Sequence, residues 1–217
     1  MQVEWGGEQL ELLPERALHH PRASTLFIAD PHFGKAASFR QLGVPVPAGT
    51  TSADLDRLQA VLTRTGARRL IILGDFLHAR MRDAQRTRAV MSEWWSGRTG
   101  LETIVVRGNH DCRAGDPPAH WGIRVESEPF DDGPFLCCHE PRQVAGRFVL
   151  AGHCHPAVML EGPGRFSMRL PCFRLGPRTA ILPAFGRFTG AKAFRPRPGE
   201  RIFAVGPNEV VQVKVMP

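Results

Sequence analysis

Short apolar runs alternate with helical stretches through the first half of the chain. The segments VEW and EQLELL flank Gly6-Gly7 and predict a hairpin over residues 2–13. A second apolar run, residues 24–29, ends at Asp30. The segments RRLIILGD (68–75) and TIVVRGNHD (103–111) each contain an apolar run that ends in polar residues, and they predict strands that are buried on both faces.

Two stretches between these strands have the spacing of amphipathic helices. In residues 52–65, Leu55, Leu58 and Leu62 fall on one face, Ser52 is placed to cap the start, and Gly66 ends the pattern. The second predicted helix covers residues 83–97, where apolar side chains again recur at helical intervals.

The pattern changes after about residue 123. Short strand-like segments separated by glycine and proline follow, and no helical stretch is evident among them; they are FLCCH, RFVLAGH, SMRLPCFRL, TAILPAF and RIFAV with EVVQVKV. We therefore expect an α/β sandwich in which a second β-sheet packs on a first sheet with flanking helices. The length of 217 residues fits a single domain over 1–217.

Charge narrows the range of partners. The chain carries a net charge of +7, and of its 28 basic residues three are lysine and the other 25 are arginine. Arginine grips phosphate with a planar fork of donors, so the excess favours a polyanionic partner such as a nucleic acid. The alternative is an arginine-rich surface that is merely solvated.

Other sequence features indicate a reduced, non-membrane setting. No run of 18 apolar residues is present, and the first 20 residues lack the basic and apolar regions of a signal peptide. The five cysteines form no CxxC pair, which is typical of reduced thiols. We expect a cytoplasmic protein without a membrane partner.

Residues of the type that bind metals follow the predicted strands. They are Asp30 and His32, Asp75, the run Asn109, His110 and Asp111, His139, and the pair His153 and His155. In sheets covered by helices, ligands bind at the carboxyl ends of strands, so these residues should converge at one rim. Mixed imidazole and carboxylate ligands suit manganese, iron or zinc. Two such metals, about 3.5–4 Å apart, are suited to the hydrolysis of a phosphate ester.

The series D-x-H, GD, GNHD, a lone His and GHxH resembles the motif series of the calcineurin-like metallophosphoesterases. This resemblance implies a β-sandwich with flanking helices and a binuclear metal site. It implies one metal held by Asp30, His32, Asp75 and His155 and a second held by Asp75, Asn109, His139 and His153, with Asp75 shared. It also implies that His110 does not ligate but acts on the leaving oxygen as a general acid or stabiliser.

Longer segments resemble the bacterial ligase-associated DNA-damage-response metallophosphoesterases. The segments are ADPHFGKAASFRQLGVPVPAGTT, ARRLIILGDFLHAR, CCHEP and LPAFGRFTG. The resemblance implies a manganese-dependent phosphodiesterase that acts as an endonuclease on single-stranded DNA, in association with an ATP-dependent DNA ligase and a DNA exonuclease. One departure is Pro31, since leucine is commoner at this position in the family.

Several residues close to the ligands are candidates for contact with the substrate. Lys35, Phe39 and Arg40 follow the first ligand pair, and His78 and Arg80 follow Asp75. In related repair nucleases a histidine spaced like His78 lies beside the phosphodiester. Phe39 could equally belong to the core, and His78 could equally be a packing residue.

Two other functions fit the fold implied by the resemblance. A phosphodiesterase for small cyclic or nucleotide diesters would use the same metals, so the motifs do not separate it from a nuclease. A non-catalytic scaffold would be expected to lack ligands, whereas every ligand position and His110 are present here.

Overall fold

The computed structural model describes residues 1–79, 85–162, 164 and 167–214. Its strands form two mixed β-sheets. The first has seven strands that neighbour one another in chain order, antiparallel from β1 to β4 and parallel from β4 to β7. These are β1 Gln2–Trp5, β2 Glu8–Leu13, β3 Ala17–His20, β4 Thr25–Ile28, β5 Arg69–Leu73, β6 Glu102–Val106 and β7 Ile123–Glu126.

The second sheet has nine strands in the order β14-β11-β12-β13-β10-β9-β8, with β15 pairing with β12 and β16. Its strands β9, β10 and β13 run parallel to one another. The bounds are β8 Phe130–Asp132, β9 Phe135–Cys137, β10 Phe148–Ala151, β11 Pro156–Glu161, β12 Ser167–Leu175, β13 Thr179–Ile181, β14 Lys192–Ala193, β15 Arg201–Val205 and β16 Val210–Val213.

The main core lies between the two sheets. Phe27 of β4 and Ala29, directly after it, face the second sheet. They join Phe135, Phe173 and Phe203 in one buried cluster. This alternation is the period of two that a strand imposes on its side chains. The sandwich predicted from the sequence is therefore present.

Helices cover the other face of the first sheet. These are α2 Thr50–Thr65 and α3 Gln85–Ser96; the chain also contains α1 Lys35–Gln41 and the single turn α4 Asp111–Ala114. Leu58 of α2 and Met91 and Trp95 of α3 pack on Leu26 and Ile72 of the sheet. No described helix is both long enough and apolar enough to cross a membrane.

The structure differs from the prediction at the start of α2 and in having the additional helix α1. Helix α2 begins at Thr50, so Ser52 lies inside it, and the preceding Gly49 has a left-handed backbone and provides no side-chain cap. Helix α1 was not predicted, because only Ala36 of its seven residues is buried and no apolar stripe marks it. Within the described part of the chain, no α-helix follows β7, as the sequence indicated.

Candidate metal centre

The parallel strands of both sheets end at one common rim. Ala29, after β4, bridges to Ala184, after β13, and the Phe185 amide donates to the Ala29 carbonyl at 2.7 Å. The predicted ligand residues follow β4, β5, β6, β9 and β10 and meet here; they are Asp30, His32, Asp75, Asn109, His139, His153 and His155. The convergence expected from the sequence is therefore present.

The backbone at this rim is unusual. Seven non-glycine residues in the described ranges have positive φ, and five of them are candidate ligands: Asp30 (49°), His32 (45°), Asp75 (51°), His153 (66°) and His155 (44°). Such conformations cost about 1–3 kcal/mol each and persist where the surrounding structure imposes them. The strain turns each side chain out of its strand direction and towards the common centre.

Burial divides the cluster into a floor and an open side. Asp30, Asp75 and His139 are buried, with exposed fractions of 0%, 3% and 1%, whereas Asn109 and His153 are exposed. Ligand-type atoms of Asp30, His32 and His155 lie within 4.8 Å of one another, and so do those of Asp30, Asp75 and His139. The centre is thus accessible to a large substrate from one side.

The first set of atoms surrounds the gap between the two carboxylates. His155 Nε2 lies 3.6 Å from Asp30 Oδ1, and His32 Nε2 lies 3.5 Å from Asp75 Oδ2. These separations are too long for hydrogen bonds. They suit two ligands that each lie about 2.0–2.2 Å from a shared cation.

The second set surrounds the ring of His139. His139 Nε2 lies 3.5 Å from Asp75 Oδ1, 2.9 Å from Asn109 Oδ1 and 3.0 Å from His153 Nδ1. Asp75 therefore presents one carboxylate oxygen to each set.

The donor chemistry fits divalent cations. His139 Nδ1 donates to the Leu73 carbonyl at 3.2 Å, and His155 Nδ1 donates to the Gly190 carbonyl at 3.0 Å. A carbonyl only accepts, so the neutral form of each ring presents the lone pair of its Nε2 to the centre, as metal-binding imidazoles do. Asp30 Oδ1 is buried and has no hydrogen-bond partner among the residues described, which leaves its charge for a cation.

Burial lowers the pKa of His32 to about 2, and the charges of Lys35, His155, His110 and His78 act in the same direction. His32 is therefore neutral at physiological pH, which is the form that binds a metal.

Backbone amides fix the two carboxylates. The His153 amide donates to Asp30 Oδ2 at 2.8 Å, and the His110 amide donates to Asp75 Oδ1 at 2.9 Å. The neighbouring Asp111 is turned away from the centre, because it accepts from the amides of Phe76, Leu77 and Gly108 at 2.9–3.2 Å. Asp111 thus joins the loops after β5 and β6.

Three glycines allow these loops to approach one another. A Cβ on Gly74 would lie closer than 3 Å to the ring of His139, and one on Gly108 would lie equally close to Asp75. A Cβ on Gly152 would meet Asp30 Oδ2 at 2.7 Å. Of these three, only Gly74 has positive φ; at Gly108 and Gly152 the missing side chain is needed for the close contact itself.

His110 lies beside the centre within a group of rings. Its ring is 5.0 Å from that of His32 and stacks on that of His78 at 5.1 Å. Phe39 extends the group, 6.3 Å from His78 and 5.6 Å from Phe188. His78 and Phe39 therefore lie next to the candidate site, and their contact with the substrate stays a prediction.

The three predicted cationic contacts differ in placement. Lys35 lies in the field of the site: burial lowers its pKa, and the charges of Asp75 and Asp30 oppose that shift. Arg40 is exposed and donates to the Pro47 carbonyl at 2.9 Å, beside a separate pocket between α1, α2 and α3. Arg80 lies outside the described residues.

The segment LPAFGRFTG contributes to the site in ways that the sequence did not reveal. A Cβ on Gly186 would meet the Pro31 carbonyl at less than 3 Å, Phe188 contacts Phe39, and Gly190 orients His155. The segment carries none of the residue types that bind metals, so its sequence gave no indication of a role at the site beyond its resemblance to the family.

Comparison with known proteins places the chain in a family. No family model matches the sequence, and no curated protein matches it. Among solved structures, the Pseudomonas putida nuclease MPE is 38% identical with a TM-score of 0.84, over 98% of this chain and 99% of that one. The chain belongs to the calcineurin-like metallophosphoesterases.

Within that family it is similar to the Pseudomonas putida nuclease over essentially its whole length. A phosphoesterase from Escherichia coli, Yfce, is 14% identical with a TM-score of 0.45, over 87% of this chain and 97% of that one. That likeness is too distant to carry an argument. The protein is a hydrolase of the nuclease and phosphoesterase type.

Proposed function

We propose that the protein is a manganese-dependent binuclear phosphodiesterase that cuts single-stranded DNA internally and acts in DNA repair. The observation that carries this proposal is the position of Asp75, which presents one oxygen to each of two ligand sets at the rim. A carboxylate shared in this way sets the spacing of two cations.

The residues divide between two cations. Asp30, His32, Asp75 and His155 would hold one, and Asp75, Asn109, His139 and His153 would hold the other. When bound, the metals supply an activated water and neutralise charge on the phosphate. Oxygen and imidazole donors without thiolate favour manganese over softer ions, and iron or zinc would also fit.

His110 acts on the leaving group in this proposal. Its amide is tied to Asp75, and its ring groups with those of His32 and His78 beside the two ligand sets that share Asp75. From there the imidazole can give a proton to the departing oxygen or stabilise its charge. Lys35, Phe39, Arg40, His78 and Arg80 remain the proposed contacts for the rest of the substrate.

Three features support DNA as the substrate. The net charge of +7 favours a polyanion. The similar solved structure is that of a nuclease, and the likeness covers nearly the full chain. The aromatic pair Phe39 and Phe188 at the rim offers the kind of surface on which unpaired bases stack.

A circular substrate tests the proposal. The purified protein is incubated with closed circular single-stranded DNA and manganese, beside a closed circular duplex and reactions with magnesium or zinc. We expect linearisation of the single-stranded circle with manganese, because circles have no ends for an exonuclease. Asp75→Ala is the inactive control.

The same assay separates the alternative function. Hydrolysis of a small diester or a cyclic nucleotide with both circles intact would contradict the endonuclease and favour a small-diester phosphodiesterase. Loss of both activities in the metal-loaded protein would favour a non-catalytic scaffold.

The proposed repair role includes a functional association with an ATP-dependent DNA ligase and a DNA exonuclease in the cytoplasm. The five cysteines are free thiols in the structure, which is compatible with a reducing compartment. A strain that lacks this protein should lose viability after DNA damage, and the catalytically inactive Asp75→Ala variant should not restore it. Equal survival of all strains would contradict the repair role.

A further inference from the structure

A pocket of about 230 Å³ adjoins the candidate metal centre on the side of His155. Three arginines from distant parts of the chain line it together with residues that follow β13; the lining includes Arg16, Arg169, Arg187, His155, Thr189 and Gly190. Because His155 belongs to both the pocket and the ligand cluster, a group held in the pocket would lie next to the reacting phosphate.

Arg16 is held in place within this pocket. It sits in the tight turn between β2 and β3 with φ of 64°, and its Nη1 donates to the carbonyls of Ala184 at 3.3 Å and Gly186 at 3.4 Å. Two bonds to fixed carbonyls orient the guanidinium before any ligand arrives. Such preorganisation lowers the entropy cost of binding.

Positive charge exceeds negative charge around the pocket. Burial lowers the pKa of Arg16, the charge of Asp54 opposes this shift, and the like charge of Arg187 adds to it. Asp54 is itself paired with Arg57, whose Nη2 lies 3.1 Å from Asp54 Oδ1. The single carboxylate of Asp54 thus lies in the field of three guanidinium groups, those of Arg16, Arg57 and Arg187. The excess of positive charge would allow the pocket to accept an anion.

Arg169 and Arg187 are exposed, and neither has an ion pair with any residue that the structure describes. Their guanidinium groups are thus free to change position when an anion enters. The pocket therefore combines one partly buried, oriented guanidinium, that of Arg16, with two exposed ones, and guanidinium groups suit the oxygens of a phosphate.

We propose that this pocket binds a backbone phosphodiester group of the nucleic-acid strand, next to the one that is cleaved. The inference rests on the proposed nucleic-acid substrate. It adds the path of the bound strand, which leaves the metal centre past His155 towards Arg169 and Arg187. None of these arginines belongs to the metal ligands, so the pocket would serve affinity rather than the chemical step.

The test measures binding and turnover separately. Arg169→Ala and Arg187→Ala are compared with Arg178→Ala, an exposed arginine at the amino end of β13, opposite the rim. Binding of a labelled single strand with a phosphorothioate backbone, which resists cleavage, is followed by fluorescence anisotropy on the metal-loaded protein. Hydrolysis of bis(p-nitrophenyl) phosphate, which has no flanking phosphate, is measured on the same samples.

We expect each pocket variant to bind the single strand about three- to tenfold more weakly and to lower the salt slope of binding by about 0.7. Hydrolysis of the small diester should stay within about twofold of wild type, and Arg178→Ala should match wild type in both assays. Equal losses for the pocket variants and Arg178→Ala would overturn the pocket, since they would reflect net charge alone.

The outcomes for the pocket and for the proposed function are distinguishable. If the wild type cuts single-stranded circles but the pocket variants bind normally, the pocket is wrong and the nuclease stands. If the wild type binds the strand through Arg169 and Arg187 but cuts no DNA, the pocket stands and the nuclease is wrong. Absence of any binding by the wild type contradicts both.

Discussion

The imidazole ring of His78 stacks on that of His110, with centroids 5.1 Å apart and planes inclined by 24°. The contact joins the loop after β5 to the loop after β6. Burial lowers the pKa of His78 to about 4, and the charges of Lys35 and His110 act in the same direction. A neutral ring at this position can orient His110 without competing for its proton.

The first prediction concerns His110. His110→Ala should keep both metals and lose about 10²–10⁴-fold in kcat on a substrate with a poor leaving group. The loss should be smaller for a nitrophenyl ester, whose leaving oxygen needs less protonation. Steady-state kinetics and metal analysis check this, with the exposed His120→Ala as control. Loss of a metal from His110→Ala would place the ring in the ligand set instead.

The second prediction separates packing by His78 from hydrogen bonding. Because His78 is neutral and stacks on His110, we expect its contacts with His110 and with the substrate to be made through the ring face. His78→Phe should then keep activity within about threefold, while His78→Ala should lose about tenfold through the missing stacking contact. Equal, large losses in both variants would mean that a nitrogen of His78 contacts the substrate.

The third prediction concerns Asp75. Asp75→Ala should bind fewer than two metals and lose activity, because the residue presents an oxygen to each ligand set. Far-UV circular dichroism should be unchanged, since the sheets keep their apolar contacts. Asp131→Ala, at an exposed pair with Arg147, is the control. Two bound metals and normal turnover in Asp75→Ala would remove the shared role.

The fourth prediction uses two glycines that both have positive φ. Gly66→Ala meets nothing within 4 Å, so it should cost about 1 kcal/mol of unfolding free energy through backbone strain alone. Gly74→Ala adds a collision with the His139 ring and should cost roughly 2–4 kcal/mol. Urea unfolding of both variants gives the difference. Equal losses of unfolding free energy in the two variants would show that the loop after β5 can move away from the His139 ring.

The fifth prediction concerns removal of metal. A metal ion at a free concentration of about 100 times its Kd stabilises the folded state by about 2.7 kcal/mol. Removing it with a chelator should therefore lower Tm by roughly 5–10 °C. Calorimetry with and without a chelator measures the shift. Asp75→Ala should show little response to the chelator. A wild-type Tm that chelation leaves unchanged would contradict metal binding by the folded state.

The sequence predicted the parts of the fold whose apolar pattern is strong. The hairpin, β4, β5, β6 and α2 are all present, because long apolar runs between turn residues permit few alternatives. Strand β3 is different: His19 and His20 are buried within it, each within 3.3 Å of a glutamate of β2. Paired burial of polar residues leaves no hydrophobic signal, so this strand was not predicted.

The candidate site was predicted as a set of residues but not as a geometry. Strand-end positions indicated which side chains would meet, whereas the left-handed backbone at Asp30, His32 and Asp75 depends on contacts from other loops. The pocket arginines were missed for the same reason, because Arg16 and Arg187 are far apart in sequence and carry no motif of their own.

The contact between Gly186 and the Pro31 carbonyl has a consequence for how the protein is made. The loop that carries Asp30 and His32 is synthesised early, but one of its sides is closed by a segment near residue 186. Until that segment leaves the ribosome, the first sheet can assemble while its ligand loop stays open. Pairing over such sequence distances is slow, so the ability to retain metal should be among the last properties the growing chain acquires.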